Sequence, residues 1–205
     1  MIKLYPGERE CALHWYGRIL DYSSLRPVGK KEGLKEKYTS VNACTETEGD
    51  MEEKTNVMRI LEQKKIWYQP HYYHNTEALS GVEVARILGE DPGCVFKTLV
   101  TEGKSKQHYV FVIPVAEELD LKKAARAVGE KSIAMLKAKE LLSLTGYVHG
   151  GCSPVGMKRF FLTTIDKQIE GLEHFFFSAG KIGAQVEMVP EDLKKVIRYQ
   201  VADVV

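Results

Sequence analysis

Two apolar runs separated by five residues set the strongest constraint on what this chain can fold into. Residues 94–101 (Cys-Val-Phe-Lys-Thr-Leu-Val-Thr) and 107–114 (Gln-His-Tyr-Val-Phe-Val-Ile-Pro) are rich in β-branched and aromatic side chains, and the link Glu102-Gly103-Lys104-Ser105-Lys106 is short and polar. Runs of this kind pair as an antiparallel hairpin, and here they predict the centre of a sheet. Strand alternation places Val95, Lys97 and Leu99 on one face and Phe96, Thr98 and Val100 on the other, so a lysine interrupts an apolar face. Lys97 has two readings. It is an edge or snorkelling lysine that blunts aggregation, or a point-charge donor held half-buried for a phosphate, a carboxylate or a carbonyl oxygen.

Around this hairpin the pattern alternates between helix and strand. Val57, Ile60 and Leu61 recur at helical spacing and stop before Lys64-Lys65, where cations suit a helix C-terminus. Residues 66–73 have strand composition, with Pro70 confining them to an edge or an irregular stretch. Ser80-Gly81 opens a short helix that Gly89 closes, and Asp91-Pro92-Gly93 makes a turn. Helices are predicted over 118–129, with Asp120 near the start, and over 138–144. Strands are predicted over 160–166, 175–177 and 185–189, then a last helix from Pro190 or Glu191 and a terminal segment 201–205. Mixed elements without a regular βαβ period make α+β with a mixed sheet the expected class.

Residues 1–50 differ in kind. Trp15, Tyr16 and Tyr22 are scattered and no period persists, so the expectation is an extension, either disordered or accessory or created by a mis-assigned start, ahead of a domain over 51–205. The first residues lack the apolar core of a secretory signal and no apolar window is long enough to span a bilayer, which predicts a cytoplasmic protein with no membrane partner. Cys11, Cys44, Cys94 and Cys152 show no metal-finger spacing, so they are read as reduced, with no metal site. The net charge of +1 excludes a strongly basic nucleic-acid coat; a polynucleotide would be met by a local patch or brought by another protein.

Gly150-Gly151-Cys152-Ser153-Pro154-Val155-Gly156 brings bare backbone amides into a turn between apolar segments. It serves as a connecting turn only, or as a cradle for an oxyanion or carbonyl. Cys152 raises the question of a nucleophile, for which His149 is the one local base. Residues 178–183 (Ser-Ala-Gly-Lys-Ile-Gly) form a second small-residue loop with a cation, yet no GxxxxGK[ST] pattern is present, which argues against nucleotide hydrolysis. His71 and His74 sit in a strand-like stretch without a neighbouring carboxylate, so hydrogen bonding or solvation is the simpler expectation than metal ligation. Asp166 reads as a turn or cap residue.

Val95-Phe96-Lys97-Thr98-Leu99, Pro114-Val115-Ala116 with Leu119-Asp120-Leu121-Lys122-Lys123, the stretch 145–156 and the loop 178–183 stand in one collinear order that resembles the YbaK/EbsC family. The resemblance runs from about Met51 to Val205. It implies a mixed α+β fold around a curved, barrel-like β-sheet with flanking helices, similar to the editing domain of bacterial-type prolyl-tRNA synthetases. It implies deacylation of mischarged Cys-tRNA(Pro), with Cys-tRNA(Cys) as a further substrate, without cofactor or metal. The acceptor end of tRNA and prolyl-tRNA synthetase are the implied partners. Carried over by position, the catalytic residues are Lys97, Gly150 and Gly151, and the substrate-binding residues are Tyr73, Thr98, Ser178, Gly180 and Gln185. Gln185 stands where some relatives carry an acid; an amide there can hydrogen-bond but supplies no charge. The implied mechanism has the substrate's own thiol attack its ester, with both glycine amides facing the oxyanion and Cys152 incidental. Two other readings remain at this level: a deacylase for another mischarged tRNA such as Ala-tRNA(Pro), and a non-catalytic module that binds tRNA ends or a synthetase.

Overall fold

The computed structural model describes residues 53–73 and 80–205; the expected extension over 1–50 and His74 lie outside the described residues. The elements are α1 (Asn56–Gln63), β1 (Gln69–Tyr72), α2 (Gly81–Leu88), β2 (Phe96–Gly103), β3 (His108–Pro114), α3 (Leu121–Ala127), β4 (Ile133–Met135), α4 (Ala138–Thr145), β5 (Leu162–Asp166), a 3-10 turn (Lys167–Ile169), β6 (Phe175–Ser178), β7 (Ala184–Met188), α5 (Pro190–Leu193) and β8 (Tyr199–Ala202). The predicted hairpin is β2–β3, antiparallel from Phe96 opposite Pro114 to Glu102 opposite His108.

The strands form two sheets, with no closed barrel among the described residues. Five strands lie in the order β4-β2-β3-β5-β8 and three in the order β1-β7-β6. β3 pairs parallel with β5, and β5 with β8, so the larger sheet is mixed as the class assignment requires. In place of a single curved sheet, the two meet at one parallel bridge, Val95 to Phe176, reinforced by Phe176 N donating to Cys94 O at 2.9 Å. β1, which carries Pro70, lies at an edge, where a missing N–H costs no ladder bond.

β3 is the central member because it is apolar on both faces. Val110 and Val112 enter a core shared with Val57, Met58 and Leu61 of α1 and with Phe175, Phe177, Val186 and Met188 of the smaller sheet. Phe111 and Ile113 enter a second core against Ala124 and Ala125 of α3. An aromatic contact joins the sheets in the first core, where Phe96 of β2 meets Phe175 of β6 edge-on at 5.7 Å, and Phe175 stacks on Phe177 of its own strand at 5.1 Å.

Capping sets the helix bounds. Ser80 and Glu83 form a reciprocal capping box on α2, which Gly89 closes in the left-handed region. Asp120 accepts from the amides of Lys122 and Lys123, so α3 starts at Leu121 and the expected helix over 118–129 is shorter at both ends. Asp166 is fully buried and accepts from Gln168 N and Val204 N, both at 2.9 Å, which makes it a cap and a tether for the C-terminal segment. No described helix is long and apolar enough to cross a membrane.

The shared aromatic layer generates a stability prediction. Phe177 has no exposed surface, so Phe177→Ala removes its transfer energy and leaves a cavity, at a cost of about 3–5 kcal/mol. Phe160, 76% exposed, is outside both cores, and Phe160→Ala should stay within about 0.5 kcal/mol of the parent. Guanidinium unfolding followed by circular dichroism measures both; equal midpoints would contradict the core assignment.

Candidate active site

In the smaller sheet β6 and β7 are buried on both faces, and their outer face carries polar side chains. Alternation sends Phe175, Phe177, Ala184, Val186 and Met188 into the first core. It leaves Phe176, Ser178, Gln185 and Glu187 on the other side, all buried nonetheless. Ser178 pairs with Gln185 across the ladder, and His71 of β1 pairs with Gln185 from the opposite side. Glu187 takes a 2.8 Å contact from His71 Nε2, whose ring also meets Phe176 edge-on at 5.2 Å. The chain thus supplies the His71 imidazole with a carboxylate from 116 residues away, a partner that the local sequence could not show.

Two buried polar atoms among the described residues have no hydrogen-bond partner: Oε1 of Gln185 and Oγ1 of Thr98. Native proteins pair nearly all such atoms, and an orphan costs about 1–3 kcal/mol. Both belong to the residues expected to bind substrate.

Lys97 reaches the same region by way of the bridge between the sheets. Two residues beyond Val95 on β2 stands Lys97, and two residues beyond Phe176 on β6 stands Ser178, so both occupy the level at which the sheets part. The Lys97 ammonium is half-buried and donates to Val115 O at 3.2 Å. Burial pushes its pKa below the usual lysine value, and Glu118 and Glu117 partly restore it. Thr98 does not share this face. It lies opposite Val112 in the ladder, on the side of β2 that carries Phe96 and Val100 into the first core.

The β6–β7 turn gathers the remaining residues. Tyr73 N donates to Gly183 O at 2.9 Å, and Gly180 N donates to Ser178 Oγ at 3.2 Å. Gly180 has φ +92, and a Cβ there would come within 2.9 Å of the Tyr147 ring, so both conformation and space select glycine. The glycine loop packs on this turn: a Cβ on Gly151 would lie 3.2 Å from the backbone of Lys181 and Ile182, and one on Gly150 would lie 3.6 Å from the Ile182 side chain. Tyr73, Ser178, Gly180, Gln185, Gly150 and Gly151 therefore cluster about one turn, with Lys97 joined to it through the bridge.

One expectation about the glycine loop is corrected. Gly151 N–H donates to Val148 O at 3.1 Å, which closes the turn and removes that amide from service to an oxyanion. The Gly150 amide donates to no described group and stays available. Cys152 is buried, and burial pushes its thiol up to about 12, partly offset by a hydrogen bond with Thr145. His149 is exposed and makes no bond to it, so no Cys-His pair forms. Sequence reading passed over Tyr147, whose ring lies against Gly180 and whose hydroxyl donates to Val155 O at 2.5 Å. Its position in the motif from 145 to 156 was the available signal.

Comparison with known proteins identifies the family. The profile of the aminoacyl-tRNA editing domain matches residues 76–196, which hold Lys97, both loops and Gln185. A protein of Enterococcus faecalis named as a Cys-tRNA(Pro)/Cys-tRNA(Cys) deacylase, EbsC, is 43% identical over 154 residues, covering 75% of this chain and 94% of that protein. A crystal structure described as that of a trans-editing enzyme for prolyl-tRNA synthetase superposes with a TM-score of 0.63 at 26% identity, over 72% of this chain and 93% of the other. The crystal structure of the hypothetical protein APE2540 shares the fold, with a TM-score of 0.67 at 24% identity over 74% of this chain and 99% of the other. With a profile match over more than half its length and a relative this similar along nearly its whole sequence, the chain belongs to the aminoacyl-tRNA editing domain family.

Proposed function

We propose that this protein is a trans-editing deacylase that removes cysteine from mischarged Cys-tRNA(Pro), and also from Cys-tRNA(Cys). The observation that carries this reading is a polar site with an unpartnered buried oxygen on Gln185, a half-buried lysine and a cysteine that burial keeps as a neutral thiol. Such a site offers hydrogen bonds and charge, and it leaves the nucleophile to the substrate. A cysteinyl ester has one.

In the proposed reaction the substrate thiolate attacks its own ester carbonyl. A sulfur–carbon bond forms, the ester carbon–oxygen bond breaks, and the ribose oxygen leaves with a proton, giving a cyclic thiolactone that water opens to cysteine. A thiol of ordinary pKa about 8.5 is partly ionised at neutral pH, and the Lys97 ammonium raises that fraction or takes charge on the carbonyl oxygen. The free Gly150 amide donates to the developing oxyanion, while Gly151 holds the turn that aims it. Tyr73, Ser178, Gly180 and Gln185 position the substrate, with the orphan Gln185 Oε1 meeting a ribose hydroxyl or the ammonium, while Thr98, on the core side of β2, supports the strand that carries Lys97. Folding the short side chain onto its carbonyl is a proximity effect. With a net charge of only +1 the chain has little long-range pull on a polyanion, which favours delivery of tRNA by prolyl-tRNA synthetase.

Three measurements test the reading. Cysteinyl, alanyl and prolyl esters of one tRNA should be cleaved in strong preference for the first, with thiolactone or cysteine as product. Equal cleavage of the alanyl ester would overturn the thiol-assisted mechanism.

Lys97→Ala should lower kcat by about 10²–10³-fold, as for loss of an oxyanion donor. Cys152→Ser should stay active, and an inactive, folded Cys152→Ser protein would restore Cys152 as a nucleophile.

The single-turnover rate should climb as the substrate thiol ionises and decline as Lys97 loses its proton, with the alkaline limb starting below the usual lysine pKa because burial lowers it. Lys97→Ala should keep the rising limb and lose the falling one; a falling limb that survives in the variant would assign it to another group.

A further inference from the structure

We infer that a cleft outside the cluster described above, lined by Lys158, Arg159, Phe160 and Arg198, binds RNA and holds the single-stranded 3′ end of tRNA just upstream of its terminal nucleotide. The inference rests on the proposed function for the identity of the RNA.

The cleft encloses about 510 Å³ between the stretch 154–163 and residues 196–198. Its lining includes three cations and no carboxylate, in a chain whose positive and negative charges otherwise nearly cancel. Arg159 and Arg198 are exposed and form no ion pair or hydrogen bond among the described residues. Lys158 makes one long contact, 3.5 Å, from Nζ to Leu142 O. Phe160 beside them is 76% exposed, the highest value among the exposed large hydrophobic side chains described. Phe161, its neighbour, is buried and anchors the segment in the first core.

Each feature has a use in holding a single strand. Guanidinium groups pair with phosphodiesters in a bidentate way, and an exposed aromatic ring stacks on a base of any sequence. The lining also holds Met157, Phe161, Val196 and Ile197, apolar surface on which bases can rest, while three cations without a carboxylate favour a polyanion over a neutral apolar partner. The cleft also has a structural link to the candidate site. Val155, one residue beyond Pro154 of the cleft wall, accepts the Tyr147 hydroxyl, and the Tyr147 ring lies against Gly180 of the β6–β7 turn. An ester seated at that turn is covalently continuous with the phosphodiesters that precede it, and the unpartnered arginines supply the complementary charge.

The test uses the full chain and an RNA minihelix ending in single-stranded CCA, read by fluorescence anisotropy across a salt series. Arg159→Ala with Arg198→Ala should weaken binding about tenfold, and should reduce the slope of log K against log salt by about 1.4, near 0.7 per lost phosphate contact. Phe160→Ala should weaken binding several-fold without changing the slope, because it removes stacking and no charge. On aminoacylated minihelix the double variant should raise KM with kcat unchanged, and on aminoacyl-adenosine, which has no phosphodiester, it should match the parent. Parental affinity and slope in the double variant would overturn the inference, as would displacement of RNA by polyglutamate at equal charge concentration. A parent that binds minihelix through the cleft but deacylates no ester supports the cleft and counts against the proposed function. Deacylation with unchanged KM in the double variant does the reverse.

Discussion

Burial of β6 and β7 on both faces is the condition on which the rest of the structure depends. Their inner face must be apolar to close the core against Phe96, Val110 and Val112, and Phe175, Phe177, Val186 and Met188 satisfy it. Their outer face is enclosed as well, yet it carries Ser178, Gln185 and Glu187. A buried polar group without a partner costs about 1–3 kcal/mol, so each of these side chains poses a separate problem. Ser178 is answered by the Gly180 amide and Glu187 by His71. Gln185 Oε1 is not answered by any described group. The sheet therefore holds an uncompensated acceptor on a buried face, a cost that a packed core would avoid and that a ligand can remove.

The same confinement determines where the glycine loop can lie. Gly151 approaches the backbone of Lys181 and Ile182 closely enough that any side chain would force the loops apart. With Gly151 N–H closing the turn onto Val148, the Gly150 amide is left without a described acceptor, and on the proposed reading it serves as a preset donor. Preset donors are effective because they need no reorganisation as charge develops. Cys152 follows from the opposite effect: its neighbours exclude water, which raises the thiol pKa and leaves it chemically quiet at neutral pH.

Much of the fold was legible because local and tertiary signals coincide. The β2–β3 hairpin, α2 with its closing Gly89, and the edge position of the Pro70 strand all follow from composition and turn chemistry. β4 was missed because Ile133-Ala134-Met135 is only three residues long and its pairing with β2 is non-local. β8 lies outside the predicted strands because Tyr199–Ala202 is only four residues long and is held by non-local parallel pairing to β5. At the site, residue identities came from a family pattern, whereas their grouping depended on a bridge between Val95 and Phe176 that no local rule predicts. The His71–Glu187 pair was hidden for the same reason: alternation gives a face, and only the register of β1 against β7 gives the partner.

The cations of this chain separate by environment, and the separation has a physical consequence. Lys97 is half-buried, with Val115 O as acceptor, so its field acts through a medium less polarisable than water and is weakly screened. Arg159 and Arg198 stand in solvent, where a Debye length of about 8 Å at physiological salt confines their influence to groups in contact. Added salt therefore acts first on the cleft and least on the lysine. On the proposed reading, capture of the polyanion and stabilisation of the reacting ester are separable terms, one set by ionic strength and the other by the packing around β2. A near-neutral protein can then hold a strong local cation for chemistry while keeping its grip on RNA weak enough for release.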